Sequence, residues 1–461
     1  MLNEFATASS HIGRRAIVIG AGVSGLSAAN ALADHFEEVI VLERDELPYG
    51  ATPRPGAPQG KQAHGLLGGA MKALEELFPG FARDLVQAGA VPVNHGFEIL
   101  LEFPGMDPFP RREWSWLTYS LSRPLIELTM RRRVEQQGNI MLRAGCRALE
   151  IVGTRDGCDV TGLCCETEDG SPEIISADIV VDASKHGALT LSFLKSAGRP
   201  VPEETTIGVD IRYGTALFAP SPGALGEFKA IVTFPNAPEG VHYGYLLPVE
   251  NNCCQLLLVG RGDDIPPVDG DAFLAYAQKL STPTIYNAMK GAKRLSEVAR
   301  YGFPESKWRH FGRLDSFPRG LLPIGDAICC LNPVYGQGIT VAVQEANILR
   351  RLLSTNALEP DPLATLAQAF LAEAESLIQG PWAISAVPDF IYPQTRGERP
   401  EDLEDRLKSQ AALARLATRD PAVCELFAEV RHLLKPLSAL DDPELVRRVE
   451  AEMATVCLSA F

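Results

Sequence analysis

The stretch "RRAIVIGAGVSGLSAANALADHFEEVIVLERD", residues 14–45, decides the fold. Ala16 to Ile19 form a short apolar run, suited to a strand buried on both faces of a parallel sheet. Gly20, Gly22 and Gly25 follow in the spacing G-x-G-x-x-G, with Ser24 among them. "LSAANALADHF" then has helix-forming composition, and "EVIVLERD" is a second apolar strand that ends on Glu43 and Arg44. The three glycines meet three demands: a tight turn, backbone approach to a pyrophosphate, and close packing of helix on strand. The helix N-terminus offers unpaired N–H groups to phosphate oxygens. Glu43, 18 residues past Gly25, stands where a carboxylate accepts the hydrogen bonds of ribose hydroxyls. Alone, such a glycine motif says little; here strand, helix and terminal acid agree on a dinucleotide, and both FAD and NAD(P) stay open.

A second crowded stretch is "GLLPIGDAICCLNPVYGQGIT", residues 320–340. It sets an apolar run, the lone Asp326, and a loop with Pro333, Gly336, Gln337 and Gly338 directly before a helix. A plain strand–turn–helix needs less punctuation. Between the two motifs, "YGATPRPGAPQGKQAHGLLGG" reads as a long loop that turns helical from Leu66, and Gln59, Lys61 and His64 lie in it. Ser122 is an N-cap for the helix that Pro124 opens, and Arg123 beside it meets either an anion or solvent. From about 205 to 300 short strands split by Pro and Gly turns indicate an antiparallel sheet. In "VDIRY", Val209, Ile211 and Tyr213 share one face, opposite Asp210 and Arg212. The tail from about 360 onward is mostly helical around an aromatic, Pro-rich loop.

The totals bound the function. A chain of 461 residues with 46% apolar and 22% charged residues suits a globular protein of two or three domains. Its net charge of −15 argues against nucleic acid as a partner. The run Arg131-Arg132-Arg133 reads as a solvated helix face. Ten cysteines, three pairs of them adjacent in apolar runs, read as small buried thiols, with no zinc spacing and no other metal site. The N-terminus has no signal-peptide core, and no run approaches a membrane span, so a cytoplasmic protein is expected.

Taken in order, "VIGAGVSGLSAANAL" with "VLERD", "GAPQGKQAHGLL", "LSRPLIELTMRRRV", "ADIVVDASKHG" and "GLLPIGDAICCLNPVYGQGITVAVQEA" resemble the FAD-dependent single-component (group A, aromatic-hydroxylase-like) monooxygenases. The loops and a "DFIYPQTRGERP" segment in the tail are similar to the branch of bacterial natural-product epoxidases and hydroxylases. The resemblance implies an α/β fold. A Rossmann-like FAD-binding domain with a parallel sheet would span 14–205 and 300–360, with part of 85–120 on the substrate side. A mixed or antiparallel substrate-domain sheet would span 206–299, and a helical C-terminal region 361–461.

It further implies that Gly20, Gly22 and Gly25 hold the FAD pyrophosphate, Glu43 the adenosine ribose, and the backbone at Ala148 the adenine, with Ser24 and Arg44 also in the cofactor site. Arg123 would lie beside the ribityl-phosphate part, Asp326 on the ribityl hydroxyls, and Pro333 to Gly338 along the flavin pyrimidine edge. Gln59 and His64 would be close to the flavin, and Tyr213 and Tyr245 would line the substrate pocket. NAD(P)H would reduce the flavin, and O₂ would form a C4a-hydroperoxide whose distal oxygen passes to an electron-rich alkene or aromatic molecule, in secondary metabolism. No catalytic acid or base is named by the pattern. Two departures stand out: Lys185-His186 interrupts the usual Gly-Arg run after Asp182, and Lys61-Gln62 replaces an Arg-His pair. Three rivals share the cofactor. They are a reductase of isoprenoid double bonds (partly matched by "HYGYLLP"), a halogenase (suggested by Trp114 to Trp116) and a non-enzymatic flavin-binding regulator. Oligomeric state has no signature in this sequence.

Overall fold

The computed structural model describes residues 11–167 and 169–454; the first ten residues, residue 168 and the last seven, where the expectation of no signal-peptide core partly falls, lie outside the described residues. The central parallel sheet runs in the order Leu321–Pro323, Ile179–Asp182, Gly13–Ile19, Phe36–Leu42, Ile140–Arg143. The glycine-motif strand is central, with Ile17 between Ile40 and Val180. Period-two alternation sorts its side chains. Ala16, Val18, Val39 and Val41 pack with Leu26, Ile126, Met130 and Val343 of three helices, Val23–Ala33, Arg123–Glu135 and Gly338–Asn356. Ile17, Ile19, Ile40 and Leu42 pack instead with Ile151, Leu163 and Cys165 of a three-stranded antiparallel sheet. Both faces of the parallel sheet are therefore covered, which explains the unbroken apolar runs. The chain builds outward from Gly13–Ile19 first to one side and then to the other, leaving a crevice at the strands' carboxyl ends.

The second sheet has eight strands. Its path is Cys329–Cys330, Ala299–Arg309, Glu204–Ala219, Cys253–Arg261, Tyr243–Val249, Ala230–Thr233, Ile99–Glu102, with Lys293–Arg294 beside Glu204–Ala219. All pairs are antiparallel except Ala230–Thr233 with Ile99–Glu102, so the sheet is mixed. Val209, Ile211 and Tyr213 are buried, and a bulge between Gly208 and Ile211 puts Asp210 at φ 48°. Strand Cys329–Cys330 belongs to the 320–340 stretch, which thus runs from one sheet into the other.

Some local readings change. The Pro/Gly stretch before Leu66 is not all loop: Ala63–Leu66 pairs with Thr118–Ser122. Its His-Gly centre has no alternation to reveal a strand, and partner pairing overrides its weak propensity. Arg131 is buried and donates to the Pro48 carbonyl, Arg133 pairs with Asp84, and Arg132 alone of the three is exposed. Ser122 does cap the helix Arg123–Glu135, accepting the Leu125 N–H at 3.4 Å. The nine cysteines among the described residues are free thiols. No helix among them is long and apolar enough to cross a membrane.

The tail supplies helices Leu366–Pro381, Leu403–Arg419, Pro421–Arg431 and Pro443–Met453. The turn Val387–Ile391 carries Asp389 into the core. There its carboxylate takes Arg261 of the large sheet at 2.8 Å and the Asn332 amide at 2.8 Å. Arg261 and Asp389 side chains are only 2% and 1% exposed. Arg261 also donates to the Val209 carbonyl at 3.0 Å and stacks over Tyr392 at 4.1 Å. Removing the acid would strand a buried guanidinium, at a cost of about 3–5 kcal/mol. Asp389→Ala is therefore expected to lose stability on that scale in guanidinium unfolding; a loss below about 1 kcal/mol would show that the pair is not a structural anchor.

Candidate functional site

Every glycine of the N-terminal motif has a distinct geometric reason. Gly20 sits at φ 100°, and a Cβ on Gly25 would lie 1.8 Å from the Gly20 carbonyl oxygen. A Cβ on Gly22 would meet nothing within 4 Å, because it would project into open space above the turn. That space is a cavity of about 740 Å³. Gly22 caps the helix Val23–Ala33 with no side chain over its N-terminus. Gly325, at φ 66°, presses against Ser24, where a Cβ would come within 2.3 Å of the Ser24 hydroxyl oxygen. The two motifs, three hundred residues apart, thus share one wall.

The expected residues come together almost completely. Gly20, Gly22, Ser24, Glu43, Arg44, Arg123, Ala148, Asp326, Pro333, Gly336, Gln337 and Gly338 line this cavity, as do Gln59, His64, Tyr213 and Tyr245. Gly25 does not; its place is the packing of helix on turn. Ala148 is exposed to the cavity beside an irregularity in the pairing of its strand.

An ionic chain runs along the floor. Glu43 accepts the Ala21 N–H at 2.9 Å and pairs with Arg54 at 2.7 Å. Arg54 also holds Glu127 at 3.0 Å, and Glu127 holds Arg123 at 2.8 Å. Burial would raise the Glu127 carboxyl, but Arg123 and Arg54 outweigh it and keep it below the ordinary value. Neither Arg54, in the Pro/Gly stretch, nor Glu127, within "LSRPLIELTMRRRV", stands out in the sequence, because their pairing is purely tertiary. His64 gives its Nδ1 to the Gln62 carbonyl at 2.9 Å; burial, then Arg123, pushes its pKa down to about 4, so the ring is neutral.

Asp326 lies deep in the cavity, and burial raises its pKa against the pull of Lys185 and Arg123. Its carboxylate has no hydrogen-bond partner among the described residues. The loop after it is pinned from below. Asn332 accepts the Val334 N–H at 3.2 Å and the Tyr213 hydroxyl at 3.3 Å, and the Tyr245 hydroxyl donates to the Val334 carbonyl at 2.9 Å. Both tyrosines thus use their hydroxyls to hold the loop, while their side chains also line the cavity. Gln59 Oε1, Gln62 Nε2 and Gln337 Oε1 are buried with no hydrogen-bond partner among the described residues. Beyond the loop the cavity continues into a chamber lined by Leu100, Phe103, Trp114, Phe234, Leu247 and Phe427. Among the described residues no group of three His, Cys, Asp or Glu side chains could hold a metal.

Solved structures share this fold. Flavin-dependent brominase Bmp2, as a triple mutant, matches with a TM-score of 0.65 at 15% identity, over 96% of this chain and 99% of that one. The p-nitrophenol 4-monooxygenase PnpA of Pseudomonas putida DLL-E4 matches with a TM-score of 0.64 at 15% identity, over 91% and 98%. This chain has the same fold as that flavin-dependent brominase and that p-nitrophenol monooxygenase. No family model matches the chain. Over 458 residues it is 30% identical to Protein Rv3254 of Mycobacterium tuberculosis (strain ATCC 25618 / H37Rv), covering 95% of this chain and 93% of that protein, and it belongs to that protein's family.

Under the site lies one more acid. Glu345, on the helix Gly338–Asn356, accepts the Gly325 N–H at 2.6 Å while its other oxygen has no partner. Burial, reinforced by Asp326, pushes its pKa up to about 8. Between the unfolded value of 4.5 and about 8 the folded chain keeps a proton that the unfolded chain has released, so this group lowers stability as pH rises through that window. Glu345→Gln, neutral at every pH, is expected to gain stability over the parent by an amount that grows from about pH 5 to about pH 8, to a few kcal/mol. Guanidinium unfolding at both pH values measures it; a pH-independent difference would refute the assignment.

Proposed function

We propose that this chain is a FAD-dependent monooxygenase. It takes electrons from NAD(P)H and inserts one atom of O₂ into an electron-rich alkene or aromatic small molecule, by epoxidation or hydroxylation, in secondary metabolism. The observation that carries this reading is the continuity of one cavity, from the Gly20–Gly25 turn past Asp326 and the 333–338 loop into an aromatic chamber.

The residues present fit FAD. Gly22 leaves open the space that a side chain would fill, the helix Val23–Ala33 presents an uncapped N-terminus, and the Asp326 carboxylate and three glutamine side-chain atoms wait for partners. Gly20, Gly22, Ser24 and Arg123 would hold the pyrophosphate, Glu43 and Arg44 the ribose end, and Asp326 the ribityl hydroxyls. When bound, FAD supplies the two-electron chemistry that activates O₂.

The remaining tasks belong to the chain. No side chain caps the helix Gly338–Asn356, so its first N–H groups and positive end face the 333–338 loop and can stabilise negative charge there. Leu100, Phe103, Phe234 and Leu247 keep water from the chamber. The neutral His64 ring adds no charge beside Arg123.

Oxygen uptake and product mass test the reading on a panel of alkenes and phenols with FAD and NADPH. A gain of one oxygen is the expected result. A gain of two hydrogens would identify a reductase, a gain of halogen with bromide a halogenase, and no turnover a binding protein. Asp326→Ala is expected to weaken FAD binding about 10- to 100-fold, through loss of hydrogen bonds to a charged acceptor. Flavin titration onto the deflavinated protein measures this, and unchanged affinity would remove Asp326 from the site.

A further inference from the structure

The far end of the chamber contains a half-buried cation that differs from the buried arginines. Arg54 is paired with Glu43 and Glu127, Arg123 with Glu127, Arg261 with Asp389, and Arg309 with Glu204. Arg431, the last residue of the helix Pro421–Arg431, has no carboxylate within ion-pair distance among the described residues. None of its guanidinium N–H groups meets a protein acceptor there either. Gln337 binds only its backbone carbonyl, at 3.1 Å.

Its surroundings leave the charge unanswered. The guanidinium lies 5.5 Å from the Phe427 ring centre. Tyr335, Tyr245 and Tyr243 are the groups of opposite tendency that act on it, and burial raises the pKa of all three hydroxyls. His95 and His432 pack edge to face at 4.3 Å, and burial keeps both rings neutral. Burial lowers the Arg431 pKa as well, yet a guanidinium starts so high that it stays charged. The three acids that line the cavity, Glu43, Glu127 and Asp326, all lie at the glycine-motif half. The other guanidinium facing the chamber, Arg111, is paired with Glu227 at 2.5 Å.

A half-buried cation that faces an aromatic cavity, with no counter-charge among the described residues, is costly to keep, and a planar guanidinium is shaped to meet a carboxylate in two parallel hydrogen bonds. We propose that Arg431 anchors a carboxylate on the substrate, so that the molecule entering the chamber is an aromatic or conjugated acid held with its apolar body against Phe103, Phe234 and Phe427. This rests on, and narrows, the proposed monooxygenase reading. It also gives the helical tail a role: the tail carries the binding residue into the site.

The test measures binding, so it stands apart from turnover. Benzoate, 2-naphthoate, biphenyl-4-carboxylate and their primary amides are titrated onto the flavin-loaded protein, read by tryptophan fluorescence and flavin absorbance. At least one acid is expected to bind tenfold or more tighter than its amide. Arg431→Gln is expected to erase that preference, and Arg431→Lys to retain part of it, with melting curves confirming that both variants fold. The proposal fails if no acid outbinds its amide, or if Arg431→Gln keeps the preference. It fails equally if the substitution alters flavin affinity alone, which would assign the charge to the flavin. Carboxylate binding without oxygen uptake would sustain this inference and overturn the monooxygenase reading.

Discussion

The buried pair of Arg261 and Asp389 is the constraint on which the rest of the site depends. Two desolvated charges are tolerated only if every remaining donor and acceptor is used, and here they nearly are. Asp389 divides its two oxygens between Arg261 and Asn332, and Arg261 turns to the Val209 carbonyl and the Tyr392 ring. Each partner comes from a different part of the chain: the large sheet, the 332–338 loop and the tail. Satisfying the pair therefore brings all three together. The shape of the loop follows, since Asn332 is held from the other side by Tyr213 and by the Val334 N–H.

A second contact sets where that loop meets the N-terminal motif. Gly325 against Ser24 leaves no room for a side chain, and the parallel alignment of Leu321–Pro323 with Ile179–Asp182 brings the two stretches to the same edge. Glu345 then holds the Gly325 N–H from beneath, with burial raising its pKa to about 8. The floor of the cavity is arranged differently. Glu43, Arg54, Glu127 and Arg123 form a chain of alternating charge, so each arginine is positioned by acids before any anion arrives. Preset guanidinium groups bind phosphate with little further ordering.

How much of this was legible depends on the range of the forces involved. The strand, glycine turn and helix of residues 13–33 could be read because apolar period, backbone freedom and packing are local. Ser122 as a cap was legible for the same reason. The expected cavity residues emerged from two dense motifs plus a family resemblance, which alone pointed to Ala148. What stayed hidden is tertiary. Arg54 sits in a Pro-rich loop with no periodicity, and Glu127 is one acid on a helix among many. Arg131 looked solvated because three consecutive arginines give no clue to which one the helix turns inward. Tyr213 was read by face, whereas the loop that its hydroxyl and that of Tyr245 hold lies about ninety to a hundred and twenty residues away. Arg431 lay in a tail whose helical period says only which face is apolar.

The cavity divides its chemistry unequally, and that division separates fold from function. Its glycine-motif half holds all three lining acids and a set of paired arginines, an arrangement suited to a cofactor that many substrates can share. Bmp2 and PnpA have the same fold, yet one is described as a brominase and the other as a p-nitrophenol monooxygenase. A shared fold therefore does not fix the reaction. Discrimination must come from the chamber, where aromatic walls define shape and where single polar groups count heavily because water is scarce. In this chain the chamber's polar content is nearly all quenched: protonated tyrosines, neutral histidines, one arginine already paired with Glu227. Against that background one free guanidinium dominates the local field, and a ligand's charge becomes the property to which this half of the site is most sensitive.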